Sequence, residues 1–289
     1  MGLLEFEPPK KYLELIEQFR LIDDTFFDVC FDGSRECMQL LLRIFFDRDD
    51  IMVKEVVTQR SAQNLYGRSA RFDVIAVDNN GKIYNVEIQR ASEGANPKRA
   101  RFNHSLIDSR EINKGTKYED FPEVWVIFIT EKDLFGGRIP MYHIDPIIKE
   151  LNQPFEDAAH TVYVNGSYRG ADALGLLMQD FFCTDPEQMH YPELAQRADF
   201  FKHENKGVKA MCELMQKLQD EGRAEGRAEG RAEGRAEGRA EGRAEGRLEE
   251  QTSLAISMLR DKEPIDKIIK YSRLSPERIA ELAKQIRQS

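Results

Sequence analysis

Several residue types that would announce a chemistry are scarce in this sequence. Its four cysteines, Cys30, Cys37, Cys183 and Cys212, include no C-x-x-C pair, which excludes a local zinc ribbon or dithiol redox motif. They are expected to be reduced thiols of a cytoplasmic protein. The five histidines (His104, His143, His160, His190 and His203) are dispersed and never form His-x3-His, so nothing points to zinc. There is no G-x-S-x-G and no G-x-x-x-x-G-K-[ST], which removes the hydrolase elbow and the P-loop. The densest apolar run, Val124–Ile129, is far short of the roughly 20 residues that span a bilayer, so no membrane partner is expected. The start, MGLLEFEPPKK, lacks a basic region followed by an apolar stretch, and no secretory signal is expected.

What the chain has in quantity is charge, unevenly placed. Its 289 residues carry 42 Lys+Arg against 51 Asp+Glu, a formal net charge of −9. By region, residues 1–53 sum to −6, 54–117 to +5, 118–220 to −9, 221–247 to 0 and the remainder to +1. The acidic total argues against a nonspecific nucleic-acid binder, but one basic block on an acidic body can still hold a phosphate backbone. A solvated face with a chance excess of basic residues fits the charge equally well.

The pattern of apolar residues predicts an α/β core. Residues 10–20 read as a short amphipathic helix, and Ser34 as the N-cap of a second helix reaching Phe46. Residues 54–58 read as a short strand, and 71–77 and 82–89 as strands around the turn Asp78-Asn79-Asn80-Gly81. Asn96 caps a helix with Pro97 at its first position, and residues 123–130 form a continuous apolar strand buried on both faces. A helix between the hairpin and that strand is the crossover of a mixed sheet. Another strand is expected near 161–164, then broken helices from 173 to 220.

From Glu221 the sequence is EGRA six times and then EGRL, ending at Leu248. At i,i+4 each Glu meets a Glu and each Arg an Arg, and seven glycines weaken a helix by about 1 kcal/mol each relative to Ala. The reading is a solvated spacer, about 42 Å long if helical or about 30 Å as a coil. Self-association through Gly and Ala, as a coiled coil, is the alternative reading and would make the chain a homo-oligomer. Helices are expected at 249–260, 264–271 and 276–286, the last pair in a helix-turn-helix-like arrangement that also serves plain packing.

The chemistry concentrates in the hairpin. Asp73 interrupts the apolar strand RFDVIAV, and Glu87 and Gln89 share a face of KIYNVEIQ. A turn that pairs Val77 with about Lys82 puts Asp73 opposite Val86 or Glu87. Two carboxylates and an amide on one patch suit Mg2+, with Mn2+ as an alternative, and the Ile88 carbonyl between them would add an oxygen. Acids and amides on a strand that merely faces water fit the same spacing. Against that bland reading stand Arg90, Lys98, Arg99 and Arg101, with Arg60, Arg68 and Arg71 upstream, where a phosphate backbone would need cations.

Arg71-Phe72-Asp73 followed by Asn85-Val86-Glu87-Ile88-Gln89-Arg90 resembles the active-site signature of the PD-(D/E)XK nuclease family transposases, related to recombination-promoting nucleases. The likeness continues through Lys98–Phe102, Leu106–Ser109, Val124–Thr130 and Tyr142–Ile144, covering about residues 24–185. It implies a restriction-endonuclease-like core, with a central mixed sheet flanked by helices, that cuts DNA with Mg2+. Asp73, Glu87 and the Ile88 carbonyl would be metal ligands, Gln89 would stand in the place of the signature lysine, and Glu36 would be the acid of the first core helix. Two departures are present: Arg-Phe replaces Pro before Asp73, and Gln89 replaces a cation that would stabilise the transition state. The expected organisation is a helical extension (1–23), the nuclease-like core (24–185), a helical extension (186–220), the repeat spacer (221–248) and a helical tail (249–289). The alternative to a DNA endonuclease is a DNA-binding or assembly protein that keeps the fold without the activity.

Overall fold

The computed structural model describes residues 8–62, 70–90, 92–112 and 115–288. They fall into two compact units, Met1–Met215 and Gln216–Ser289. In the first, helices α1 (Lys10–Gln18), α2 (Asp24–Phe31) and α3 (Arg35–Phe46) precede strands β1 (Val53–Ala62), β2 (Ala70–Asp78) and β3 (Ile83–Gln89). Helix α4 (Pro97–Glu111) leads to β4 (Val124–Thr130) and β5 (Met141–Ile144). A two-residue pair, β6 (Ile147–Ile148) and β7 (Gln153–Pro154), then precedes β8 (Ala159–Asn165), α5 (Ala173–Phe182) and α6 (Pro192–His203).

The sheet has six strands in the order β1-β2-β3-β4-β8-β5. The first three are antiparallel, β3, β4 and β8 run parallel, and β5 is an antiparallel edge. α4 is the crossover that parallel pairing of β3 with β4 demands, since parallel neighbours cannot be joined by a tight turn. The mixed α/β architecture expected from sequence is present.

Local sequence explains the elements that hold the site. Ser34 Oγ accepts the Cys37 N–H at 3.3 Å, and Asn96 accepts the Lys98 N–H at 2.8 Å with Pro97 behind it, so α3 and α4 start at their caps. In the hairpin turn the Asp78 carboxylate accepts the Asn80 and Lys82 N–H groups at 2.8 and 2.9 Å, and Gly81 takes the left-handed φ of 80°. Alternation then sorts the strands. Val74, Ala76, Tyr84, Val86, Ile88, Ile127 and Ile129 pack toward the α1–α3, α5 and α6 side. Ile75, Ile83, Val126 and Phe128 pack with Ala100, Leu106 and Ile107 of α4. β4 is apolar from Val124 to Ile129, as a strand covered on both faces must be.

Helix α7 (Asn205–Arg260) runs unbroken through the repeat, whose residues are exposed along its length. The separate helix expected at 249–260 is therefore the end of α7. Glu, Arg and Ala are strong helix formers, and the flanking helical segments supply the nucleus that a short peptide would have to form alone. In the second unit α8 (Ile265–Ser272) and α9 (Pro276–Gln288) pack with the end of α7 through Ala255, Ile268, Leu274, Ile279 and Leu282. Ser275 Oγ accepts the Arg278 N–H at 3.3 Å as the cap of α9. Among the described residues no helix is long and apolar enough to cross a membrane.

Candidate active site

The observed register pairs Val77 with Ile83 and Val74 with Val86, which brings Asp73 level with Glu87. The backbone ladder between β2 and β3 ends at Val74–Val86. Beyond it the Asp73 carboxylate replaces a backbone carbonyl and accepts the Ile88 N–H at 2.9 Å. The Asp73 N–H in turn favours the ionised Glu87. Each carboxylate is thus tied to the other's strand, at the point where the ladder between β2 and β3 ends.

Glu87 is fully buried, as is Asn85 two residues before it on the same face. Asn85 Nδ2 donates to Glu87 Oε1 at 2.9 Å, and Asn103 Nδ2 of α4 donates to Asn85 Oδ1 at 3.0 Å. Arg99 of α4 donates to the other Glu87 oxygen at 2.5 Å and to the Gly94 carbonyl at 3.2 Å, with its guanidinium 5.9 Å from the Phe128 ring centre. Both Glu87 oxygens therefore have a donor, as a buried carboxylate requires.

Two carboxylates this close and this dry resist ionising together. Burial first, then the Glu87 charge, pushes the Asp73 carboxyl up to about 8, with Asp28 and Asp24 adding to the rise against the Ile88 hydrogen bond. Burial raises Glu87 as well, opposed most by Arg99 and Asn85. Asp24, at the start of α2, is raised by desolvation and by Asp23, with Arg90 and Arg99 pulling the other way. A cavity of about 570 Å³ opens beside Asp24, lined also by Phe19, Arg20, Asp23 and Arg90.

The residues singled out from sequence divide into groups. Asp73, Glu87 and Ile88 come together in one patch. Gln89 is half-buried beside Gly94, where an added β-carbon would fall 1.7 Å from Gln89 Oε1 and 3.7 Å from an Arg99 guanidinium nitrogen. Glu36 is exposed on the first turn of α3, while the acids of the flanking helices that act on Asp73 are Asp24 and Asp28 of α2. The sequence reading missed these two, because the apolar stretch around them shows no helical period. Arg90 is held by Asp23 at 3.0 Å and Glu131 at 3.6 Å. Lys98 and Arg101 are exposed on the first turns of α4. Arg68 lies outside the described residues; Arg60 and Arg71 lie on paired strand backbone opposite Phe72 and Ser61, and their side chains are outside the description.

The donor set fits a hard divalent ion. It offers carboxylate and carbonyl oxygens, and a cation would relieve the repulsion that raises Asp73. Among the described residues no group of three or more His, Cys, Asp or Glu forms a closed metal cage, so the candidate is an open pair of carboxylates. An open pair is how Mg2+ is usually held beside phosphates, one or two carboxylates with water completing the shell.

No curated protein and no solved structure matches the chain. Residues 32–165, which hold the hairpin, α4 and the parallel strands, match the family model described as PD-(D/E)XK nuclease family transposase; the resemblance carried by Asp73, Glu87 and Gln89 is borne out for the part of the chain that contains them, and the match suggests a nuclease or transposase role.

Proposed function

We propose that the chain is a divalent-metal-dependent DNA endonuclease of the transposase-associated kind, with Asp73 and Glu87 as the ligands of a Mg2+ or Mn2+ ion and the Ile88 carbonyl beside them. The observation that carries this reading is the pair of buried, mutually repelling carboxylates cross-tied between β2 and β3, a costly arrangement for strands that serve structure alone. Bound there, the ion would activate water and offset charge on the phosphate.

The chain's own groups have distinct tasks. Asp73 stays oriented by the Ile88 N–H, and Glu87 is held from one side by Asn85. Gln89 faces the site with an amide that orients water or bonds to a phosphate oxygen. In hydrolysis the water oxygen bonds to phosphorus while the bond to the leaving sugar oxygen breaks; one proton leaves the water and one reaches the departing oxygen. Arg90, Lys98 and Arg101, with Arg60, Arg68 and Arg71, supply positive charge for the DNA backbone. Residues 221–248 act as a spacer between the core and the helical tail, which is the part suited to self-association or partner binding.

The test is cleavage of supercoiled plasmid by the full chain. Wild type should nick or linearise it with Mg2+ or Mn2+ and not with EDTA, while Asp73→Ala and Glu87→Ala remain folded and inactive. Equal cutting by all three would trace the activity to a contaminant and end the assignment. The second reading, a DNA-binding protein without cleavage, draws on Gln89 in the lysine's place. It predicts salt-sensitive DNA binding with no product under either metal.

A further inference from the structure

The hairpin motif lacks a cation, and the structure holds one beside it from another element. Gln89 is neutral, and its neighbour Arg90 is engaged by Asp23 and Glu131. Arg99, by contrast, enters from the first turn of α4 and contacts Glu87 directly, with about a third of its side chain exposed against none of Glu87's. Gly94, Phe128 and Glu87 fix the guanidinium on three sides. Gly94 lies beside both groups: a β-carbon there would clash with Gln89 Oε1 and come within 3.7 Å of an Arg99 guanidinium nitrogen. An arginine carries more N–H donors than these contacts use, and the unburied edge leaves some of them for a phosphate.

We propose that Arg99 is the cation of the site: it offsets the buried Glu87 charge in the ion-free protein and presents its remaining N–H donors to the phosphate under attack, the task a lysine at position 89 would perform. The claim rests on the nuclease reading. It adds that a helix, not the strand, delivers the positive charge, and that Arg99 is a site residue and not one of the backbone-holding cations. During attack the extra negative charge gathers on the non-bridging phosphate oxygens, where a fixed donor acts most strongly.

The experiment compares full-length wild type, R99Q, R99K and the double variant R99Q with Q89K. Three quantities are read: the single-turnover rate on plasmid at saturating Mn2+, Mn2+ binding followed by the free-ion EPR signal, and DNA binding in Ca2+. R99Q should cut at least about a hundredfold more slowly while binding Mn2+ as tightly as wild type or more tightly, since a competing cation has left Glu87. The lysine in the double variant should recover at least about tenfold of that loss. R99K, which keeps the charge but loses the planar fork, should fall about tenfold with Mn2+ and DNA binding unchanged. Should R99Q fail to fold, R99K decides: a rate at or up to about tenfold below wild type with Mn2+ and DNA binding unchanged supports the assignment, and a rate loss that tracks loss of Mn2+ or DNA binding overturns it. A wild-type rate in R99Q also overturns it, as does parallel loss of Mn2+ binding and rate without recovery in the double variant. Wild type that never cuts brings down the nuclease reading itself, whereas wild type that cuts alongside an equally active R99Q brings down only the role of Arg99.

Discussion

The hairpin with α4 and the tandem repeat are both rich in acids and arginines, and they treat charge in opposite ways. In the hairpin, Glu87 is wholly buried, shares its site with Asp73 and is met by a donor on each oxygen. In the repeat, Glu and Arg alternate along an exposed helix, and among the described residues no ion pair joins a repeat Glu to a repeat Arg. A spacing of two residues keeps them off each other's helical face, and i,i+4 brings like charges together. Exposed charges of this kind change stability by about 1 kcal/mol or less each. Buried carboxylates cost far more, and at Asp73 and Glu87 the Ile88 N–H, Asn85 and Arg99 offset part of that cost. Charge density alone therefore does not mark the site, nor does one buried charge, since Asp180 is as buried and accepts the His190 and Tyr191 N–H groups; the pairing of two buried carboxylates sets the hairpin apart.

The largest effect that would break this contrast is on metal binding. Asp73→Asn with Glu87→Gln should remove the Mn2+-induced rise in melting temperature, whereas removing acids from the repeat should leave that rise intact. Retained metal stabilisation in the double variant would move the ion elsewhere.

Next in size is a pH effect. Asp73 has a folded pKa of about 8 against the ordinary carboxylate value near 4, so between those values the folded state holds a proton that the unfolded chain has lost. The metal-free protein should therefore lose stability as pH rises from about 4 to 8. Asp73→Asn should flatten that fall and raise the melting temperature at neutral pH by about 5 °C or more. An unchanged pH profile in Asp73→Asn would show that the carboxyl is not held dry.

Gly94→Ala sharpens the comparison at shorter range. The added methyl would clash with the end of the flexible Gln89 side chain and reach ordinary contact with Arg99, so the melting temperature should hold within a few degrees while cleavage falls about tenfold as Gln89 is displaced. Unaltered cleavage would detach Gln89 from the chemistry.

Smallest are the effects expected in the repeat. A β-carbon at Gly222 through Gly246 meets nothing, so replacing the seven glycines by alanine should raise helicity at 222 nm without changing the cleavage rate. Deleting residues 221–248 should likewise leave the intrinsic rate within about twofold, in keeping with local effects of distant sites. Loss of core folding in the deletion would contradict a spacer.

Much of the core was legible because its signals are local. Ser34 and Asn96 as caps, Asp78–Gly81 as a turn and the uninterrupted apolar run of β4 each carry their meaning in adjacent residues. The hairpin register came within one residue; Lys82 belongs to the turn, since its carbonyl accepts the Asp78 N–H, so Ile83 is the partner of Val77. What stayed hidden is tertiary. The helix carrying Asp24 and Asp28 is short and held mainly by Phe26, Phe27 and Phe31 in the core, which no period reveals. Arg99 looked like a backbone-holding cation because its sign was visible and its partner, twelve residues upstream across a bend, was not. The repeat had balanced propensities, and its continuous helix follows from helical neighbours at both ends.

The most direct measurement of the central claim is a crystal of the full chain soaked with Mn2+ and read by anomalous scattering. A peak is expected between the Asp73 and Glu87 carboxylates with the Ile88 carbonyl beside it, and Arg99 drawn off Glu87. Mn2+ bound elsewhere, with the Arg99–Glu87 pair intact and no peak at Asp73, would contradict it.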